Sequence, residues 1–204
     1  MKKIAAVASL IALGMSTSVA MAEELSPWQV RVRAVHIETA NDSDPVGGTG
    51  ASDRVHVSDK TIPELDISYF FTPNIAAELV LTVPQKHKVY LDGTSVGTFK
   101  HLPPTLTLQY HFTPGSTFSP YVGAGVNYTL ISKERLLGGA GTLESDSVGL
   151  ALQAGVDFKL DKNWSLNFDI KRVQIRSDLY LDGDKISKLK IDPYLIGVGV
   201  GYRF

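Results

Sequence analysis

Apolar and polar residues alternate strictly at the C-terminal end of the chain. From Tyr194 to Phe204 every even position is large and apolar or aromatic, whereas the odd positions are mostly glycine and end with Arg203. A period of two is typical of a β-strand that has one apolar face. The sequence therefore predicts a strand here, with one hydrophobic face and one nearly bare face.

The same alternation recurs in seven further segments, which cover residues 28–34, 64–71, 77–83, 106–112, 122–128, 148–158 and 164–170. A tilted strand needs about ten residues to cross a bilayer. The connections after the second, fourth and sixth segments are short, and the other four are long, at about 40–60, 84–103, 131–146 and 177–189. Short turns on one side and long loops on the other predict an all-β fold, an eight-stranded antiparallel transmembrane β-barrel with periplasmic termini.

A water-soluble β-sandwich or lipocalin-like barrel is the alternative architecture. The polar faces of the predicted strands argue against it because they carry charges beside glycines, while the apolar faces hold nearly all the aromatic residues. Aromatic residues also gather toward the periplasmic ends, where a membrane barrel has them at the level of the lipid headgroups. This predicted girdle comprises Trp28, Phe71, Phe112, Tyr121, Phe158, Trp164 and Phe204.

The first 22 residues have the pattern of a cleaved secretory signal. Lys2 and Lys3 precede an uncharged apolar stretch over residues 4–19, and Ala20 and Ala22 supply the small residues of a cleavage site. A membrane-spanning helix would need about 20 apolar residues, more than this stretch has. We therefore expect a signal peptide over residues 1–22 and a single barrel domain over residues 23–204.

The composition excludes several classes of function. The formal net charge is −1 and no basic stripe is present, so a nucleic-acid partner is not predicted. The chain has no cysteine, and its five histidines do not follow a metal-ligand spacing, so neither a metal nor a cofactor is expected. The run His56-Val57-Ser58 resembles the His-x-Ser of a barrel lipid deacylase, but its acid partners would be only the loop residues Asp53 and Asp59. The sequence does not predict an enzyme.

The inward faces of the predicted strands divide the lumen into two parts. The lower, periplasmic part is charged in both signs, and the charges are expected to pair with one another. Two interpretations remain open, a plug against ions and a filler that locks the barrel. The predicted charged residues are Arg31, Arg33, Asp66, Glu78, Asp169 and Lys171, with Arg203 at the bottom.

The upper part of the lumen is predicted to be apolar. A channel for polar solutes would not be lined by aliphatic side chains, so these residues are predicted to bind hydrophobic ligands. They are Val35, Ile37, Val80, Val173, Ile175 and Leu195.

Five prolines lie toward the outer ends of the predicted strands, at positions 63, 84, 103, 104 and 193. Proline donates no hydrogen bond to a sheet, so strand interiors avoid it. One hypothesis is a weakened wall, a lateral opening at Pro84, Pro103 and Pro104 through which an apolar ligand leaves into the membrane. The alternative is that the strands simply end there.

Several stretches resemble the OmpW family of small outer-membrane barrels. They are SPWQVRVRAVHI near the N-terminus, TPNIAAELVLTVPQKH, PYVGAGVNYT at 120–129 and DPYLIGVGVGYRF at 192–204, and together they span the chain after the signal. The final residues, Tyr202 and Phe204, resemble the outer-membrane assembly signal. The resemblance implies an outer-membrane location and a narrow hydrophobic channel, in a group that includes members serving alkane or aromatic uptake. It implies no catalytic residues.

Two functions from different classes follow from these observations. The first is an outer-membrane channel that passes small hydrophobic molecules across or into the membrane. The second is a structural or interaction barrel whose extracellular loops bind phage, bacteriocins or host surfaces. In either case the expected partners are outer-membrane lipid, small hydrophobic ligands or detergent, and the outer-membrane assembly machinery, and the barrel is expected to be a monomer.

Overall fold

The computed structural model describes residues 26–40, 42–49, 51–52, 54–136 and 140–204; the predicted signal peptide over residues 1–22 and Asp53 lie outside them. Fifteen strands occur in these residues, together with a short 3₁₀ helix at Val46–Gly48. None of the helices in this part of the chain is long and apolar enough to cross a membrane. The strands are β1 (Trp28–Glu38), β2 (Asp42–Ser43), β3 (Val55–Val57), β4 (Lys60–Phe70), β5 (Ile75–Thr82), β6 (Gln85–Leu91), β7 (Thr94–Leu102), β8 (Thr105–His111), β9 (Phe118–Leu136), β10 (Gly141–Leu143), β11 (Asp146–Lys159), β12 (Trp164–Val173), β13 (Arg176–Leu181), β14 (Asp184–Lys190) and β15 (Tyr194–Arg203).

Eight of these strands close into a barrel. Their order around the wall is β1, β4, β5, β8, β9, β11, β12 and β15, and β15 pairs again with β1. Every neighbouring pair is antiparallel. Each barrel strand is thus paired on both sides, which is what a sheet in lipid requires. The predicted eight-stranded antiparallel barrel is confirmed.

The long connections contain the other seven strands. The hairpin of β6 and β7 follows β5, and the hairpin of β13 and β14 follows β12. These strands extend the wall outward, since β7 pairs with the upper part of β9 and β10 pairs with β13. The connections, which were predicted only as long loops, thus form an extracellular extension of the barrel.

The outer face carries the apolar residues of the period-two pattern. Large side chains such as Val32, Leu108 and Phe168 are exposed around the barrel, as a surface that faces lipid should be. Aromatic side chains line the periplasmic rim and touch edge to face, with 4.9 Å between the ring centroids of Trp28 and Tyr69. Six of the seven residues predicted for the girdle are exposed there: Trp28, Phe71, Phe112, Phe158, Trp164 and Phe204.

Tyr121 does not belong to this girdle, so its assignment was wrong. Its side chain points into the lumen and is 1% exposed. The reason is the period of β9: Gly123 and Gly125 face inward, and Tyr121 lies on the same side of the strand two residues earlier. The assignment followed the aromatic character of the residue, whereas the backbone alternation decides its direction.

Glycines on the inner face make room for the large side chains of the lumen. A Cβ atom on Gly155 would lie 2.4 Å from the hydroxyl oxygen of Tyr121, and one on Gly199 would lie 2.0 Å from the carbonyl oxygen of Val32. Both contacts are too short for any larger residue without displacement. The bare strand faces therefore allow Tyr121 and the arginines of β1 to fit inside so narrow a barrel.

Candidate functional site

A network of buried charges crosses the lower lumen, beginning at Arg31 on β1. Its Nη1 donates to Oε2 of Glu78 at 2.7 Å, and its Nη2 donates to Oδ2 of Asp157 at 2.7 Å. Glu78 lies on β5 and Asp157 on β11, so one guanidinium connects three separate strands of the wall. Charge-assisted bonds of this length are the strong ones, because both partners are ionised.

The second arginine of β1 and the lysine of β12 extend the network upward. Arg33 Nη2 donates to the same Glu78 oxygen at 2.9 Å, and its Nε lies 3.1 Å from Oδ2 of Asp66. Lys171 Nζ lies 2.8 Å from Oε1 of Glu64 and 3.0 Å from Oδ1 of Asp169. All six charged residues predicted from the sequence thus meet in one network.

Four further residues complete the network and were not singled out from the sequence: Glu64, Tyr121, Gln153 and Asp157. Tyr121 donates its hydroxyl proton to Asp169 Oδ2 at 2.7 Å, and Gln153 Nε2 bridges Glu78 Oε1 and Asp169 Oδ2, both at 2.8 Å. Period two had placed Glu64 and Asp157 on the polar face. Their height relative to other strands depends on the stagger of the barrel, which no single strand reveals.

The network closes the barrel at this level. It holds three cationic and five anionic side chains, and all eight are at most 5% exposed. Charges in such a place are tolerated only when they are paired, so their positions are strongly coupled. An eight-stranded barrel is just wide enough for its own side chains, and here they fill it. Below them Arg203 is half-buried at the periplasmic mouth, where its Nε donates to the carbonyl oxygen of Ser26 at 3.0 Å.

The upper lumen has the opposite character. The six residues predicted to bind hydrophobic ligands all point inward and are between 1% and 7% exposed. All of them except Val80 belong to one apolar cluster, which extends into the extracellular extension through Val57, Val89, Phe99 and Leu189. Aliphatic contacts of this kind have no fixed geometry, unlike the ion pairs of the lower lumen.

Two small cavities interrupt the apolar interior. The inner cavity lies directly above the charged network and has a volume of about 20 Å³, room for about one water molecule. Its lining includes five of the six predicted residues, namely Ile37, Val80, Val173, Ile175 and Leu195. The outer cavity, of about 40 Å³, is apolar and lies among Val55, Leu91 and Leu136. A ligand larger than these cavities must displace side chains to pass.

The wall beside the inner cavity is interrupted. Pairing between β5 and β8 ends at Val80 and Thr105, and it resumes between β6 and β7 only at Gln85 and His101. Pro84, Pro103 and Pro104 all lie in this gap, and Pro103 lines the cavity. We call this interruption the β5–β8 gap.

The two remaining prolines lie elsewhere in the wall. Pro63 lies inside β4, where its register partner on β1 is Ala34. Pro193 precedes β15, and its carbonyl oxygen accepts from the N–H of Val173 at 3.2 Å. Neither position therefore interrupts a strand pair in the way that the β5–β8 gap does.

Two stacked histidines lie just outside the gap, on the β6–β7 hairpin. The ring centroids of His87 and His101 are 4.7 Å apart, and His87 Nδ1 lies 2.7 Å from the carbonyl oxygen of Ser58. The neighbouring lysines Lys86 and Lys100 face outward, which puts this hairpin beyond the apolar band. Burial, together with the neighbouring His87, lowers the pKa of His101 to about 3, so its imidazole is neutral at physiological pH.

A model of the OmpW family matches residues 26–204. The chain belongs to the OmpW family. The outer-membrane protein y4mB of Sinorhizobium fredii is 48% identical over 191 residues, which cover 90% of this chain and 82% of the relative. The crystal structure of the outer membrane protein OprG from Pseudomonas aeruginosa superimposes with a TM-score of 0.76 at 27% identity, and the match covers 89% of this chain and 97% of OprG.

A more distant relative has a name that refers to metabolism. It is the dibenzothiophene metabolism operon protein PahQ of Pseudomonas aeruginosa, 26% identical over 89% of this chain and 90% of the relative. The family resemblance and the outer-membrane location expected from the sequence are confirmed. This OmpW-family protein is a β-barrel embedded in the outer membrane.

Of the residues that resembled a lipid deacylase, His56, Ser58 and Asp59 lie in the described part of the chain. His56 lies on the exposed face of β3. Asp59 accepts from both the backbone N–H and the hydroxyl group of Thr39, at 3.0 and 3.2 Å. In the described part of the chain no group of three or more His, Asp or Glu side chains is placed to hold a metal ion.

Proposed function

We propose that this barrel passes small hydrophobic molecules into the outer membrane through its apolar upper lumen and the β5–β8 gap. The observation that carries the proposal is a coincidence of three features. The apolar lumen ends on a closed layer of paired charges, and the wall is interrupted by three prolines at the same level. A molecule that enters from outside meets mainly apolar side chains down to that level and a polar barrier below it.

The chemistry of the upper lumen favours apolar molecules over polar solutes. Each Å² of apolar surface that a ligand buries against Ile37, Val80 or Val173 gains about 25 cal/mol. A polar solute loses its hydrogen bonds to water and finds few replacements, at a cost of about 1–3 kcal/mol for each unpaired group. The lumen therefore discriminates by solvation rather than by shape.

The charged network directs an apolar ligand toward the β5–β8 gap instead of the periplasm. An apolar molecule gains nothing by crossing buried ion pairs, and the network holds the pairs together by bonds of 2.7 to 2.9 Å between Arg31, Arg33 and Glu78. For the same reason we propose that it blocks ions. The lipid beyond the β5–β8 gap is the more favourable destination for an apolar ligand. The name of the relative PahQ, with its reference to the polycyclic compound dibenzothiophene, supports a ligand of this class.

The route to the membrane follows from the two ends of the chain. We propose that residues 1–22 direct export and are removed, and that the assembly machinery recognises the C-terminal pattern ending in Tyr202 and Phe204. Because the sheet closes on itself, the barrel has no edge that needs a second copy, and we propose that it works as a monomer.

A tryptophan in the upper lumen tests the proposal. Val80→Trp fills the inner cavity and is expected to lower uptake of radiolabelled n-octane at least tenfold in cells whose outer membrane carries the protein. Leu79→Trp is the matched control, since Leu79 is the preceding residue and faces the lipid. Uptake that stays at the wild-type level in folded Val80→Trp protein would favour the interaction barrel, in which the extracellular extension rather than the lumen carries the function.

A further inference from the structure

The inner cavity is apolar except at one end. Its polar end is formed by Glu64 and Lys171 from the charged network and by His101 from the β6–β7 hairpin. Glu64 is 2% exposed and His101 is 2% exposed, so both groups are shielded from bulk water. Buried polar groups normally have partners, and those that lack one point to an unrecorded interaction.

Two acceptor atoms at this end have no partner. Oε1 of Glu64 accepts from Lys171, but Oε2 is buried and makes no hydrogen bond. Nδ1 of His101 is likewise buried without a hydrogen bond. In a neutral imidazole with its proton on Nε2, Nδ1 is an acceptor. With the proton of the neutral imidazole assigned to Nε2, the cavity presents two unsatisfied acceptors.

The other polar groups around the cavity are already engaged. The hydroxyl of Thr82 donates to the carbonyl oxygen of Val83 at 3.0 Å, and that of Thr105 donates to the carbonyl oxygen of Pro103 at 3.2 Å. Lys171 Nζ is held between Glu64 and Asp169. A ligand group that enters this end must therefore bring a donor of its own.

We propose that the inner cavity binds the hydroxyl group of a long-chain alcohol or similar neutral amphiphile, which donates to Glu64 Oε2 or His101 Nδ1 while its alkyl tail lies against Ile37, Val173 and Leu195. The inference rests on the proposed function and names its ligand class. The cavity volume of about 20 Å³ suits a single hydroxyl group. Thr82 and Pro103 form the wall toward the β5–β8 gap, which gives the tail a way into the lipid.

Other head groups fit less well. An ether of the same length has no hydrogen to donate, so both acceptors stay unsatisfied when it binds. A carboxylate would add a further negative charge beside Glu64, in a network where five carboxylates already face three cations. A plain alkane fills the apolar part but leaves the polar end as it is. The expected order is alcohol first, then ether and alkane, then carboxylate.

The test compares ligands of equal length bound to the whole barrel in lipid nanodiscs. The probes are 1-octanol, heptyl methyl ether and octanoate, and binding is followed by the ¹³C-methyl NMR signals of Val80, Val173 and Leu195. Affinities are expressed per mole fraction of ligand in the lipid, so that partitioning into the bilayer cancels. We expect 1-octanol to bind about fivefold more tightly than the ether, the worth of one net hydrogen bond.

Two variants test whether the preference for octanol over the ether arises in the inner cavity. His101→Phe keeps an aromatic ring but removes one of the two acceptors, and the ratio of octanol to ether affinity is expected to fall below the wild-type value. His36→Phe is the matched control, because His36 is exposed on the outer face and contacts Thr61. Its ratio is expected to stay at the wild-type value. Migration of the unheated protein in gel electrophoresis verifies that each variant is folded.

The possible results separate this inference from the proposed function. Equal affinities of wild-type protein for octanol and ether, or tighter binding of octanoate, overturn the inference even though methyl shifts still support a ligand-binding lumen. A preference that is undiminished in His101→Phe overturns the role of His101. No methyl shift with any probe overturns the lumen as a binding site, and the proposed function with it.

Discussion

The two halves of the lumen are built by the same strands but are held together by different forces. On β1, the inward-facing Arg31 and Arg33 belong to the charged network. The next two inward-facing residues, Val35 and Ile37, belong to the apolar interior. On β12, Asp169 and Lys171 are followed in the same way by Val173. Both strands thus change from paired charges to aliphatic side chains within one step of the alternation.

The two kinds of contact should respond differently when a side chain is removed or a ligand is added. A buried ion pair is directional, and removing one partner leaves an uncompensated charge, so the lower half resists rearrangement. Aliphatic side chains have no directional bonds to break, so under the proposed function the upper half is expected to repack around a ligand. The β5–β8 gap lies beside the inner cavity, directly above the charged network.

The largest expected difference between the two halves is in how much a substitution lowers the free energy of unfolding. Glu78→Ala leaves Arg31 and Arg33 without their shared partner and is expected to lower the free energy of unfolding by about 3–5 kcal/mol. Val173→Ala, in the apolar half, removes about two methylene equivalents and is expected to cost about 1–2 kcal/mol. Urea unfolding in lipid vesicles measures both. Equal losses would contradict the distinction drawn between the two halves.

The β5–β8 gap should control the rate of uptake without affecting the lumen. Changing Pro84, Pro103 and Pro104 to valine restores backbone donors, allows the strands to pair, and is expected to slow uptake of n-octane several-fold. Pro120→Val is the control, since Pro120 lies in β9 at the periplasmic end of the barrel. Uptake at the wild-type rate by a correctly inserted triple variant would refute lateral exit.

Much of the fold could be predicted because a membrane barrel repeats one simple pattern. Period two found all eight barrel strands, and it assigned Glu64 and Asp157 to the polar face. It also implied the direction of Tyr121, which was missed because aromatic character was given more weight than the alternation. The hairpin strands were missed because the long connections have too little outward apolar character to resemble membrane strands.

The candidate site could be predicted only in part, for a geometrical reason. Each strand tells which side chains face inward, but the stagger between strands decides which of them meet. Gln153 bridges Glu78 and Asp169 although nothing in the sequence relates these three positions. That His101 lines the inner cavity likewise depends on the β6–β7 hairpin, which continues the wall beyond the β5–β8 gap.

The most direct test of the central claim, that the upper lumen binds apolar molecules above the charged network, is a crystal structure with a brominated alkane. Anomalous scattering from bromine locates the ligand independently of the surrounding density. We predict bromine peaks between Ile37, Val80 and Val173, or in the β5–β8 gap beside Pro103. Peaks confined to the outer, lipid-facing surface of the barrel, in crystals of protein that takes up the same alkane, would contradict the account.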